Sequence, residues 1–559
     1  TKETSGLVEG KSSVSTFEIF GSRNQTIYEE QKQIQHSAAE NLYNNFKTSK
    51  DFKTAVNSAA EWLKKQNSVK SVTVQGERLI IIKYTSGVTG GVMIREVDQN
   101  GKPLYLGDIR GTDTLNRNRT QLRSFEQTRG EYYAIPNIEA DTNIIFNKKV
   151  IVWSPCEDEF SPNVPAEIIN RINKNKLGLT IDHFPDFSAT VDLAQTFCNY
   201  GLIVIMAHGA YGQYFQTKER ASETNNAIYQ DLLDSDQICS FTQVDICKIF
   251  GIVPVVTYDV YALMPKFILN LGKRFAKSVI VSISCEGAQI PDHNPQRSYA
   301  LAFIKKGAST FVGYTGLTTA EFANQTAPNF VERLVVDEKT THEAFISNED
   351  GDNKFVMHSP YKVRYTSGLI NGFFEYPVIK YGQVAGWESL GDARVLAKLG
   401  SITPAEGKYM GIVSTGLGFT TSSGEYSQTF RIKENESKLS VKWNFLSEEF
   451  LEYIGSSYQD KFKIVIKDIE SGLETILLEK SIDQIAAQFG ATKESSGSLA
   501  AVSPDIKFDH GDVYSTGWQA NEFDMSFLRG KLIRLSISVS DVGDSAFDTA
   551  VLLDEISIK

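Results

Sequence analysis

Hydrophobic and polar positions follow three successive patterns along the chain. Up to residue 147, helical and strand spacings are mixed. "EEQKQIQHSAAENLYNNFKTS" and "DFKTAVNSAAEWLKKQ" carry apolar residues at helical spacing, whereas "SVKSVTVQ", "ERLIIIKY" and "GGVMIREV" read as strands with Gly-containing connections. From Lys148, short apolar runs alternate with amphipathic segments. The strands "KKVIVWSP", "LGLTIDHF", "GLIVIMA", "SVIVSIS" and "STFVGYTG" are separated by helices such as "PAEIINRINKN", "SATVDLAQTFCNY" and "NPQRSYALAFIKKG". That alternation predicts a parallel sheet with helices on both faces. From about Ile370 the helical spacing disappears. "SQTFRIK", "KLSVKWNFL", "KFKIVIKD" and "LIRLSISVSD" are short strands punctuated by Gly, Ser and Asp, the pattern of an antiparallel sandwich. The expected fold class is therefore multidomain α/β. An N-terminal α+β region spans 1–147, a parallel-sheet α/β core 148–368 and a β-sandwich 369–559.

Composition narrows the function classes. A chain of 559 residues is too long for one core. Its net charge of −11 argues against a nucleic acid as main partner. No apolar run approaches the roughly 18 residues of a membrane span. The first residue is Thr1 rather than Met, so we expect a leader to have been removed, and a secreted, periplasmic or bacterial surface location. Five cysteines are too few for a disulfide framework, and the odd number leaves a free thiol unless it pairs between chains. "DTLNRNRTQLRSFEQTRGEYY" is polar and basic and reads as an exposed connection open to nicking.

The chemistry lies at two strand ends. "GLIVIMAHGAYGQY" runs from a buried apolar strand into His208 and Gly209. "SVIVSISCEGA" places Cys285 just after a second such strand. In open α/β sheets, sites form outside the carboxyl ends of the strands. If the two strands are neighbours, His208 and Cys285 face one crevice. A thiol becomes a nucleophile when it loses its proton, and an adjacent imidazole can take it. The N–H groups of Gly209 and Cys285 are candidates for holding an oxyanion. Glu157, Asp158 and Glu159 follow the first core strand and read as a solvated acidic turn. No G-x-S-x-G, H-E-x-x-H, P-loop or dinucleotide fingerprint occurs.

"AHGAYG" and "SISCEGA", each after an apolar strand, resemble the His-Gly and Cys blocks of the caspase–gingipain–legumain group of cysteine peptidases. "KKVIVWSP" and "YALAFIKKGASTFVGYTG" resemble flanking elements of its bacterial members. The resemblance covers roughly Lys148 to Gly368 and implies a secreted cysteine endopeptidase with a caspase-like core. Cys285 would be its nucleophile and His208 its acid–base partner, acting on a protein or peptide without a catalytic cofactor. Residues 1–147 are a candidate prodomain. The His–Cys separation exceeds the roughly 50 residues of caspases. The residue two before the nucleophile, which often shapes the first specificity pocket in this group, is Ile283, neither an acid nor Gln. Asp158 is a candidate partner for a basic substrate side chain. The expectation is that acidic residues are rejected and small apolar or basic ones accepted. His183 and His293 are peripheral pocket candidates.

The last region, with "FLSEEFLEYIGSSYQDKF" and "DVGDSAFDTAVLLDEISI", resembles bacterial extracellular jelly-roll modules of the anchor or carbohydrate-binding type. Asp541, Asp544 and Asp548, with Glu375, are candidate ligands for a structural Ca²⁺. Trp387, Trp443 and Trp518 are candidates for sugar stacking. The alternative to a peptidase is an inactive peptidase-like protein whose sandwich engages a surface glycan or protein.

Overall fold

The structure is a computed structural model. It describes residues 17–559 apart from 76, 98–143, 174–176, 248–254, 379–382, 417–420, 504, 507, 509–511 and 544–546. The basic segment expected to be open to nicking lies outside the described residues.

The first layer begins with helices α1 (Phe17–Ser49) and α2 (Phe52–Leu63), followed by strands β1 (Val69–Gln75), β2 (Leu79–Tyr84) and β3 (Thr89–Val97). Asp51 caps α2 by accepting the Thr54 N–H at 2.8 Å, which satisfies one of the first-turn donors. On β2 the side chains alternate with the strand period. Ile80 and Ile82 pack with Ala38, Leu42, Val56 and Ala59 of the helices, whereas Ile81 joins Phe241 and Met264 on the opposite face.

The core strands are β4 (Lys149–Ser154), β5 (Thr180–Pro185) and β6 (Leu202–Met206). They are followed by β7 (Gly209–Ala210), β8 (Tyr214–Arg220), β9 (Ile238–Cys247) and β10 (Val255–Leu263), then by β11 (Val279–Ile283), β12 (Thr310–Tyr314), β13 (Asn348–Asp350) and β14 (Asn353–His358). They divide between two sheets. One has the order β13-β14-β12-β11-β6-β4-β5, in which β5, β4, β6, β11 and β12 are mutually parallel. Its strands β4, β6, β11 and β12 are buried along almost their whole length, as a sheet covered on both faces requires. Helices α3 (Val164–Asn173) and α5 (Ala320–Val335) pack on one face; α4 (Tyr299–Lys305) packs on the other.

The second sheet has the order β1-β2-β3-β9-β10-β8-β7, with β3 and β9 parallel. It joins strands from both sides of residue 147. Residues after His208 supply four strands that complete this sheet, and β9 is in register with β3 from Gly90↔Ser240 to Val97↔Cys247. Cys239 and Cys247 lie on one strand, β9, and Cys239 is a free, buried thiol.

The C-terminal region is antiparallel. Strand Glu388–Leu396 pairs through its first half with Ser423–Arg431 and through its second half with Met410–Ser414, so it passes between the two faces of the sandwich. Leu439, Trp443, Phe462, Leu535 and Val551 fill the space between them. Trp387 and Trp443 are buried in that core, with indole N–H groups donating to Asn371 O at 3.0 Å and Asn521 Oδ1 at 2.8 Å. Sugar stacking by these two is thereby corrected to core packing. Trp518 is half-buried and donates to Thr403 O.

Candidate active site at adjoining strand ends

Strands β6 and β11 are parallel neighbours, in register from Leu202↔Val279 to Met206↔Ile283. His208 and Cys285 each follow two residues after the last pair. They therefore leave the sheet side by side, and both line one cleft. Glycine is required here by close approach. A Cβ on Gly209 would meet the Cys285 carbonyl oxygen at 2.8 Å, and one on Gly287 would collide with the Ser284 and Ser282 hydroxyls. Glu286, between Cys285 and Gly287, sits at φ +55°. Its carboxylate accepts the Tyr211 N–H at 2.9 Å and also the amide of Gln75 on β1. These contacts hold the left-handed turn directly after the thiol.

Glu157 and Glu159 of the acidic turn after β4 are buried, whereas Asp158 is exposed. Glu159 is 1% exposed, and its Oε2 lies 2.8 Å from Nε2 of His208. Its Oε1 accepts from Arg95 of β3 at 2.5 Å and lies 3.4 Å from Nζ of Lys218 on β8. Burial opposes ionisation of Glu159, but Arg95, His208 and Lys218 outweigh it and hold the carboxyl far below its usual range. Arg95 also grips Asp245 through Nε and a second N–H at 2.9 and 3.0 Å, and donates to Tyr258 at 2.6 Å. The expectation of a solvated turn fails at Glu159 because the compensating cations come from sequence-distant strands.

Burial pushes His208 down, yet Cys156 and Glu159 beside it push it up more strongly, to about 10. The ring of Phe160 tilts against the imidazole at 5.2 Å. Donor atoms of Cys156, Glu159 and His208 lie within 4.8 Å of one another, the sole such trio found among the described residues. A soft divalent cation uses such donors, but Arg95 and Lys218 already supply positive charge at Glu159.

The other expected residues divide. Ile283 lines the cleft. Asp158 is not among the described residues that line it; its carboxylate is bound by Lys218, which also reaches Asp186 at 2.9 Å. His183 pairs with Glu157 at 2.7 Å, and His293 sits on the short turn Pro291–His293. Of the candidate Ca²⁺ ligands, Glu375 accepts the N–H groups of Lys408 and Tyr409. Asp544 lies outside the described residues. The Asp541 N–H donates to Ser422 O at 3.0 Å. Asp548 is buried and its N–H donates to Glu448; nearby, Glu449 accepts the Asp460 N–H and Asp460 accepts that of Val542. The carboxylates of Glu448, Glu449 and Asp460 thus accept backbone N–H groups.

No family model matches the chain, and no curated protein matches it. Among solved structures, it is similar to the module TmCBM61 in complex with beta-1,4-galactotriose, at 16% identity over 34% of this chain and 97% of that one, with a TM-score of 0.20. It is similar to a cleaved adhesin domain of Lys-gingipain from Porphyromonas gingivalis at 15% identity, over 32% and 94% of the two chains, with a TM-score of 0.19. It is also similar to a carbohydrate-binding module specific for non-crystalline cellulose at 11% identity, over 34% and 94%, with a TM-score of 0.21. No described helix is long and apolar enough to cross a membrane.

Proposed function

We propose that the parallel-sheet domain is a cysteine endopeptidase of the caspase–gingipain–legumain type. Cys285 Sγ attacks the scissile carbonyl carbon. His208 takes the thiol proton and passes it to the leaving amine; water then hydrolyses the acyl-enzyme. Backbone N–H groups of Gly209 and Cys285 face the developing oxyanion. Glu159 orients the imidazole and stabilises its charged form, as the third member of a nucleophile–base–orienter set does. One observation carries this reading: the β6–β11 register delivers His208 and Cys285 to the same cleft, with a buried carboxylate behind the histidine. The test is to treat the full chain with a peptidyl acyloxymethyl ketone and locate the adduct by mass spectrometry. An adduct on Cys285, absent from Cys285→Ala, supports the proposal; an unlabelled Cys285 leaves the second reading.

That second reading is a binding or adhesion protein whose sandwich engages a glycan or a surface protein. The structural neighbours agree with it in name, being adhesin domains and carbohydrate-binding modules. The matches extend over about a third of this chain, so this reading concerns a module and is compatible with a peptidase domain beside it. A secreted or surface location fits both. Binding of the Cys285→Ala chain to a glycan array tests it without interference from hydrolysis.

A further inference from the structure

We infer that the cleft beside Cys285 accepts an uncharged aliphatic side chain on the acyl side of the scissile bond. It excludes both acidic and basic ones. The inference rests on the peptidase reading and names its substrate class.

Phe160, Met206, Ile283, Ala320 and Ala323 form the apolar part of the lining. Apart from His208 and Cys285 themselves, none of the described lining residues is ionisable. The remaining hydroxyls are engaged. Thr318 accepts the Asn353 amide at 2.9 Å, Thr319 caps α5 by accepting the Phe322 N–H at 3.0 Å, and Ser284 shares a 2.7 Å hydrogen bond with Ser282. A polar substrate side chain would therefore leave water for hydroxyls that already hold protein hydrogen bonds.

The neighbouring charges do not change this. Asp158 was the candidate for a basic side chain, but Lys218 binds it. Lys218 is the nearest candidate for an acidic one, and Asp158, Asp186 and Glu159 surround it. The charge of His208 is matched by Glu159. A substrate carboxylate or guanidinium would enter an apolar recess with every counter-charge already committed.

The experiment compares second-order labelling of Cys285 in the full chain by four acyloxymethyl ketones. They differ only in the residue next to the warhead: Ala, Leu, Arg or Asp. The Ala or Leu probe is expected to react ~100-fold faster than the Arg and Asp probes, the scale set by uncompensated groups in an apolar pocket. Fastest labelling by Arg or Asp would overturn the specificity inference and leave the peptidase standing. No labelling of Cys285 by any probe would overturn both. A second arm uses Thr319→Asp, which preserves the helix cap because aspartate caps as well as threonine. It places a carboxylate at the cleft and is expected to accelerate the Arg probe by about tenfold, roughly the discrimination of one added contact. An Arg-probe rate unchanged in a variant of unchanged melting temperature also overturns the inference.

Discussion

Oε2 of Glu159 and Nε2 of His208 stand 2.8 Å apart, although 49 residues separate them in sequence. The pair occupies Nε2 and sets the orientation of the imidazole at the edge of the cleft. It also fixes the ionisation of the histidine, because a buried carboxylate favours the charged ring.

Replacing Glu159 by Gln therefore has a directional effect. The folded-state pKa of His208 is raised to about 10 by Cys156 and Glu159 against the pull of burial. Without the carboxylate it falls. The imidazolium is the form that protonates the leaving amine, so the basic limb of the activity profile moves to lower pH in Glu159→Gln. The maximal rate falls by about 10²-fold, within the range for impaired acid–base catalysis. A pH series of peptide hydrolysis rates checks this, and an unmoved basic limb would separate Glu159 from the reaction.

The Cys156 thiol lies within 4.8 Å of His208, while Cys285 lines the same cleft as His208, and the two thiols are distinguished by access. Cys156 is buried, whereas Cys285 is partly exposed and lines the cleft. We expect Cys285→Ala to abolish hydrolysis without unfolding the chain. His208→Ala should cost nearly as much, since groups that act as a unit are not additive. Cys156→Ser should retain activity within about tenfold, because a hydroxyl keeps the hydrogen bond to the imidazole and does not touch substrate. Loss of activity in Cys156→Ser with activity retained in Cys285→Ala would exchange their roles.

Arg95 ties the N-terminal sheet to the acidic turn. Arg95→Met leaves Glu159 and Asp245 buried without their shared cation. Breaking a buried pair in this way costs about 3–5 kcal/mol. Urea denaturation of the full chain reads the loss directly. Stability unchanged by this substitution would show that the ion-pair network is not structural, and that residues 69–97 pack beside the core without supporting it.

Local pattern made much of this visible in the sequence. The unbroken apolar runs of β6 and β11 announced a doubly covered parallel sheet, and the polar break after each announced its functional edge. The alternation in "KFKIVIKD" announced a sandwich strand. What stayed hidden depended on partners distant in sequence. Nothing local marks Glu159 as buried, because the charges that let it be buried come from Arg95 and Lys218. Likewise, the stretch 209–263 opens with polar residues, and nothing local assigns the apolar residues from Ile238 onward to the N-terminal sheet. Its strands become legible when β3 is set beside β9. Trp387 and Trp443 have the commoner fate of a sandwich tryptophan, burial in the core: an indole N–H needs one acceptor, and Asn371 and Asn521 supply it there.

The buried acidic residues of the sandwich lead to a metal-dependent prediction. Glu448, Glu449, Asp460 and Asp548 are all nearly inaccessible, and Asp541 stands on the loop expected to bind Ca²⁺. An oxygen-rich loop is a candidate Ca²⁺ site, and a cation bound there would stabilise the native state. Millimolar Ca²⁺ is expected to raise the melting temperature of the full chain by several degrees, the shift that follows when a ligand binds the native state well above its Kd. Asp548→Asn should reduce the shift. A melting curve unmoved by Ca²⁺ or by chelator would make these residues a hydrogen-bonded structural cluster.

The final strand of the sandwich, Thr549–Ile558, carries an aspartate whose titration predicts a pH step in stability. Asp554 is 0% exposed and accepts the N–H groups of Glu406 at 3.0 Å and Glu555 at 2.8 Å. Burial raises its pKa to about 6 despite those donors. An unfolded aspartate titrates near 3.9. The folded state therefore binds the proton more tightly, and protonation stabilises the fold. The contribution is present in full below about pH 4 and is lost as pH rises to about 6, by about 2–3 kcal/mol at the conversion of roughly 1.4 kcal/mol per pKa unit. Other carboxylates titrate in the same window, so the informative quantity is a difference between two proteins. Asp554→Asn removes the titrating proton whatever it does to absolute stability. The stability curves of wild type and variant should converge or diverge by that amount between pH 4 and 6 and run parallel above it. Curves that stay parallel throughout would show that Asp554 titrates alike in the folded and unfolded chain.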